Sequence, residues 1–115
     1  MTKGRAMANL LLEGTKRAEV PLSPKLLNYT LEHLFGDVWQ GDDLPLVERS
    51  LITCTALVAM NRTAEQYLHF VAARNVGVPR EKLEAMLAHV AHYAGWPCAV
   101  SANHVLNEVW PPEAK

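Results

Sequence analysis

The sequence predicts an all-α fold of about six helices in a single domain over residues 1–115. No stretch alternates apolar and polar residues long enough for a sheet, apolar residues recur at helical spacing through most of the chain, and Pro or Gly brackets nearly every such run. Half of the 115 residues are apolar and 20% are charged, which is the composition of a packed domain and leaves no second one to find. Eleven basic side chains stand against twelve acidic ones with no basic patch, so nucleic acid is not an expected partner.

A first helical segment is expected around Met7 to Arg17, weakened by Gly14. Ser23 is an N-cap with Pro24 at the first helical position, and that helix runs through Leu27, Leu31 and Leu34 towards Phe35 and Gly36. Gly41, Asp42, Asp43 and Pro45 mark a loop. Leu46 to Met60 is apolar nearly all round beyond Arg49, so this helix is expected at the centre of the fold. Asn61 and Arg62 turn the chain, and Thr63 is expected to cap a helix ending at Gly77. Its packed stripe is read as Ala64, Leu68, Val71, Ala72 and Asn75, with Glu65, His69, Ala73 and Val76 beside it. Pro79 opens a helix whose core positions are Leu83, Met86, Leu87, Val90, Ala91 and Ala94, closed by Gly95. A last helix after Trp96-Pro97 carries Ala99, Ala102, Val105, Leu106 and Val109, and Pro111-Pro112 ends it.

The longest apolar stretch, Leu51 to Met60, is about half a membrane span, so no membrane association is expected. Lys3, Arg5 and the run Met7 to Leu12 lead into Glu13, Gly14, Lys16 and Arg17 without a small-residue cleavage site, which argues against a secretory signal. Cys54 and Cys98 form no C-x-x-C and read as reduced thiols of a cytoplasmic protein, Cys98 with a second reading as a thiol activated by a helix start.

The chemistry concentrates between Arg62 and His69. Helical spacing puts Arg62, Glu65 and His69 on one face, with Glu65 and His69 at i, i+4, so a cation, a carboxylate and an imidazole meet there. His69 is the expected proton donor, because an imidazole titrates near pH ~6.5, and Glu65 would orient it. Arg49 either binds an anionic substrate or pairs with a carboxylate between helices. Trp39 and Trp96 wall a pocket or pack, and His89 flanks a core stripe. His89 and His92 stand at i, i+3 with no third ligand spaced to join them, so no metal is expected.

These residues sit in a series of linked motifs. F-G-D-V-W (Phe35 to Trp39), E-R-S-L-I-T (Glu48 to Thr53), A-L-V-A-M-N-R (Ala56 to Arg62), Glu65, His69, N-x-G-V-x-R-E-K-L (Asn75 to Leu83) and Y-A-G-W-P (Tyr93 to Pro97) follow in order. Together they resemble the carboxymuconolactone decarboxylase family over roughly Leu26 to Val109. The resemblance implies the helical fold of the alkylhydroperoxidase D superfamily, assembled as a homo-oligomer, usually a hexamer. It also implies a cofactor-free lyase that removes carbon dioxide from a small acidic or lactone substrate in aromatic catabolism. His69 and Glu65 would be catalytic, and Arg62, Arg49, Trp39, His89 and Trp96 would bind substrate. The superfamily's peroxidase-like branch carries a C-x-x-C where this chain has Arg62 and Glu65, and a glutamate where it has Ser50. A thiol antioxidant, or a binding member without chemistry, is the alternative. Where decarboxylases commonly carry arginines beside the histidine this chain has Tyr67 and Val71, and for their Asn-Asn-Gly it has Asn75-Val76-Gly77. Losing those cations weakens the expectation of a dicarboxylate substrate.

Overall fold

The protein is described by a computed structural model covering residues 2–15 and 22–113. Six α-helices and no strand occur among the described residues. They are α1 (Lys3–Leu12), α2 (Pro24–Tyr29), α3 (Leu46–Ala59), α4 (Thr63–Val76), α5 (Arg80–Ala94) and α6 (Trp96–Val109). No described helix is long and apolar enough to cross a membrane.

Helix α1 starts earlier than expected because Thr2 caps it, its side chain accepting from the Arg5 N–H at 3.2 Å. The expected end of this segment at Arg17 lies outside the described residues; the helix itself stops at Leu12. Gly4 lets it approach the next segment closely, since a Cβ there would lie 1.7 Å from the Leu31 carbonyl oxygen. The open carbonyls at the C-terminal end of α1 are met by Asn75 of α4, whose amide nitrogen lies 3.2, 3.1 and 2.8 Å from the carbonyls of Leu10, Leu11 and Glu13. Asn75, expected in a packed stripe, is therefore a cap for another helix.

Ser23 and Pro24 begin α2 as expected, and the helix continues into a π turn over Thr30–Leu34. The Phe35 N–H reaches the Thr30 carbonyl at 2.9 Å, while the Thr30 hydroxyl bonds back to the Leu26 carbonyl at 2.8 Å. A short 3-10 turn, Val38–Gln40, then seats Trp39 against Phe35 with ring centroids 6.0 Å apart.

Helix α3 packs on α4, α5 and α6 through Ser50, Cys54 and Val58, which repeat every four residues. It is not buried all round as expected: Ile52 is 52% and Met60 61% exposed. Thr63 is the first residue of α4 and not its cap; that position is Arg62, with no capping side chain. The buried face of α4 keeps Val71 and Ala72 of the expected stripe and departs from it elsewhere. Gln66, Phe70 and Ala73 are fully buried, whereas Ala64 is exposed and Leu68 half-buried. Gly77 ends the helix at φ +99, and the Val78 N–H closes on the Ala73 carbonyl at 2.9 Å. Helices α5 and α6 bury most of the predicted residues, and Arg80 joins them by donating to the Trp110 carbonyl and to Asn107. The main core gathers Cys54, Val58, Phe70, Leu83, Leu87 and Leu106 from α3 to α6, and a smaller one joins Ala8, Leu11, Phe35, Trp39 and Ala72.

Candidate active site

The start of α4 brings Arg62 and Glu65 together. The Arg62 guanidinium holds one carboxylate oxygen of Glu65 through Nε at 3.2 Å and Nη2 at 2.6 Å. The Arg62 backbone N–H is itself tied to the Leu57 carbonyl at 2.8 Å, and Gln66 donates to the same carbonyl at 3.2 Å, so the end of α3 fixes the first turn of α4.

His69 stands one turn further along. Its backbone carbonyl accepts from the Cys54 thiol at 3.3 Å, which pins this part of α4 to α3. Burial pushes the imidazole below its ordinary value, and the negative charge of Glu65 partly opposes that shift. His69 is therefore a neutral imidazole at pH 7 in the free protein. Its Nδ1 is buried and has no hydrogen-bond partner among the described residues. The same holds for Ser50 Oγ and Arg49 Nε on α3, the helix that faces α4. Gln66 Oε1 on α4 is likewise buried without a partner among the described residues, and since buried polar groups are almost always bonded, these orphans on two facing helices mark polar capacity that no described residue uses.

The other expected site residues fall into different settings. Arg49 donates through Nη2 to the Gly41 carbonyl and to Asp43, both at 3.3 Å, so it pairs with a carboxylate of its own chain. Trp39 is 7% exposed in the smaller core and packs instead of facing an open pocket. His89 is exposed on α5 and stacks on Tyr93 with centroids 5.0 Å apart. Trp96 is 59% exposed and meets the edge of His92 at 5.4 Å. With His92, His104 and Val100 it lines a groove of about 450 Å³ between α5 and α6. A second cavity, of about 560 Å³, is lined by Gly14, Thr15, Tyr67, Val71, Arg74, Glu108 and Val109. Neither is lined by Arg62, Glu65 or His69. No group of three or more His, Cys, Asp or Glu side chains able to hold a metal occurs among the described residues.

Cys54 is buried and its thiol is pushed up to about 12 by desolvation, so it is protonated at any physiological pH. Cys98 is half-buried on α6, and both cysteines are free.

A model of the carboxymuconolactone decarboxylase family matches residues 24–108. The chain belongs to that family. With it comes membership of the alkylhydroperoxidase D-like superfamily, in the branch without the C-x-x-C motif. The chain is similar to 4-carboxymuconolactone decarboxylase of Acinetobacter baylyi, 35% identical over 83 residues that cover 72% of this chain and 62% of that protein. It is also similar to nitrosuccinic acid decarboxylase npaB of Metarhizium robertsii, 29% identical over 91 residues, or 79% of this chain and 64% of the relative. The chain thus spans less than two thirds of the length of these relatives. Within the carboxymuconolactone decarboxylase family, the departures at Tyr67 and Val71 lie on the wall of the second cavity. Sequence reasoning missed Ser50 as an orphan and Glu108 and Arg74 as cavity residues. Nothing in their local spacing distinguishes them from solvated side chains.

Proposed function

We propose that this protein is a decarboxylase-type lyase acting on a small acid or lactone, with His69 and Glu65 handling the proton and Arg62 the substrate's charge. The observation that carries the reading is the buried Nδ1 of His69, without a partner among the described residues, next to an arginine–carboxylate pair. Two relatives named as decarboxylases support the reaction class.

In this reading the bond from the substrate carbon to its carboxylate breaks and carbon dioxide leaves. The electron pair moves into a carbonyl or nitro group conjugated with the breaking bond, and a proton is then delivered to carbon. His69 is neutral in the free protein, and an anionic substrate beside Glu65 adds a second negative charge that raises its proton affinity. Binding thus charges the donor when it is needed. The substrate itself supplies the electron sink, so the step calls for no cofactor. Arg49 and Arg62 each already engage a carboxylate, Asp43 and Glu65, which favours a substrate with one carboxylate over a dicarboxylate.

The site is closed, on this proposal, by a second copy of the chain in a homo-oligomer, with a hexamer the expected state. Leu26 and Tyr29 of α2 are 53% and 57% exposed, and no residue of that helix is buried. Even with the π turn that continues it, so short a helix does not hold in water without support, so α2 needs a surface to lie on. Light scattering should report several subunits; a folded monomer refutes the assembly. Trp96 and His89 would then contribute from a neighbouring subunit, and a cytoplasmic location fits the free thiols.

The thiol antioxidant reading is disfavoured by Cys54, which is buried and protonated. The decisive measurement is carbon dioxide release on incubation with 4-carboxymuconolactone and with nitrosuccinate, the acids named by the relatives, and with simpler lactone and 3-oxo acids. Release from at least one, lost in His69→Ala, is expected. Release from none, or release unchanged in His69→Ala, refutes the reading.

A further inference from the structure

The second cavity lies on the side of α4 away from His69. Residues two apart on a helix point about 200° from one another, and Tyr67 precedes His69 by two. Tyr67, Val71 and Arg74 form one row at i, i+4 and i+7, and α6 faces it with Glu108 and Val109.

The polar groups of this cavity sit at two poles. At one, Tyr67 Oη lies 3.1 Å from a Glu108 carboxylate oxygen. At the other, Arg74 donates to the Val109 carbonyl at a long 3.4 Å, and its guanidinium lies 5.8 Å from the centroid of the Trp110 ring. Arg49, Arg62 and Arg80 each pair with a carboxylate, whereas Arg74 has no ion pair among the described residues. Tyr67 and Arg74 stand seven positions apart on α4, about 10.5 Å along its axis, and lean together towards Glu108 and Val109, which adjoin on α6. Val71 and Val109 supply apolar wall, and Thr15 adds a buried hydroxyl with no hydrogen-bond partner among the described residues. The volume, about 560 Å³, is that of a small-molecule site.

A ligand matching these poles carries a carboxylate at one end for Arg74 and a hydrogen-bond donor at the other for Glu108. Its middle is flat and apolar, to lie between the valines and the Tyr67 ring. We propose that this cavity is a binding site for a small aromatic hydroxy acid, separate from the His69 face. The carboxylate takes the Arg74 donors that no described residue engages, and the hydroxyl donates to Glu108. Tyr67 stays hydrogen-bonded to Glu108 and fixes that carboxylate in place.

The test is calorimetric titration of the full-length protein with 4-hydroxybenzoate, its methyl ester and benzoate at pH 7.5. The acid should bind at least about tenfold tighter than the ester, which lacks the charge Arg74 reads, the size of effect expected for a charge-assisted hydrogen bond. Arg74→Gln should remove that preference. Glu108→Gln should weaken 4-hydroxybenzoate while leaving benzoate unchanged or tighter, because one negative charge near the ligand is gone. His69→Ala should bind as the parent does, so the outcome separates this site from the proposed catalytic one. No binding of 4-hydroxybenzoate at millimolar concentration overturns the proposal, as does equal binding of acid and ester by the parent protein. Loss of binding in His69→Ala overturns it too, by moving the ligand to the other face. The acid–ester comparison needs no variant and stands even if Arg74→Gln does not fold.

Discussion

The two polar faces of α4 carry similar residue types and opposite solutions. On one, Arg62 and Glu65 lead to His69, whose buried Nδ1 has no hydrogen-bond partner among the described residues. On the other, Tyr67 and Arg74 open onto a cavity with Glu108, and their polar atoms are partly engaged. The first face has a perturbed, underused titrating group, and the second has room for a molecule. The contrast teaches that tuned chemistry and available space are separate products of packing. Burial that shifts an imidazole removes the volume a substrate needs, and an open cavity keeps that volume. On the proposed reading, the His69 face regains its volume when a second subunit lies over it.

The largest expected effect breaks the comparison at its chemical side. His69→Ala should lower turnover of a decarboxylated substrate by the ~10²–10⁴-fold typical of a lost acid/base group, with helicity by circular dichroism unchanged. Glu65→Gln should cost less, since it keeps a hydrogen-bonding group of the same shape and removes only the charge. Equal activity in His69→Ala and the parent would leave the first face structural.

A smaller effect concerns stability and pH. The folded-state pKa of His69 lies below the unfolded value of ~6.5, so the unfolded chain binds the proton first as pH falls. The neutral imidazole costs nothing above that unfolded value. Stability contributed by keeping it neutral is lost as pH falls from ~6.5 through the lowered folded value. Urea midpoints at pH 7.5 and pH 5 should therefore differ more in the parent than in His69→Gln. An identical difference in both proteins would show that the imidazole titrates as an exposed one.

Smallest is Ser50→Ala. The side chain is 1% exposed and its hydroxyl has no partner among the described residues, so removing it should leave stability within about 0.5 kcal/mol of the parent or raise it slightly. A loss above about 2 kcal/mol by urea unfolding would mean that the hydroxyl is bonded. Near-neutral stability with a raised KM would instead assign Ser50 to the substrate.

Much of this architecture is local and was readable as such. Ser23-Pro24, Gly77, Pro79 and Gly95 punctuate helices through backbone chemistry that acts within a few residues, and the i, i+3, i+4 rows of α5 and α6 name their own core. The grouping of Arg62 with Glu65 is likewise a property of one helical turn. Three features needed the assembled fold. The buried face of α4 is set by α1, α3 and α6, which choose Gln66 and Phe70 over Ala64, because apolar residues fall on more than one row of this helix and leave its rotation open. Asn75 caps α1 only because 62 to 65 residues of chain return it to that helix end. Tyr67, Arg74 and Glu108 share a cavity across 41 residues of sequence between its tyrosine and glutamate, a proximity that no periodicity encodes. Local spacing decides which groups share a turn, whereas burial, and with it the lowered pKa of His69, depends on which distant helices come to lie against that turn.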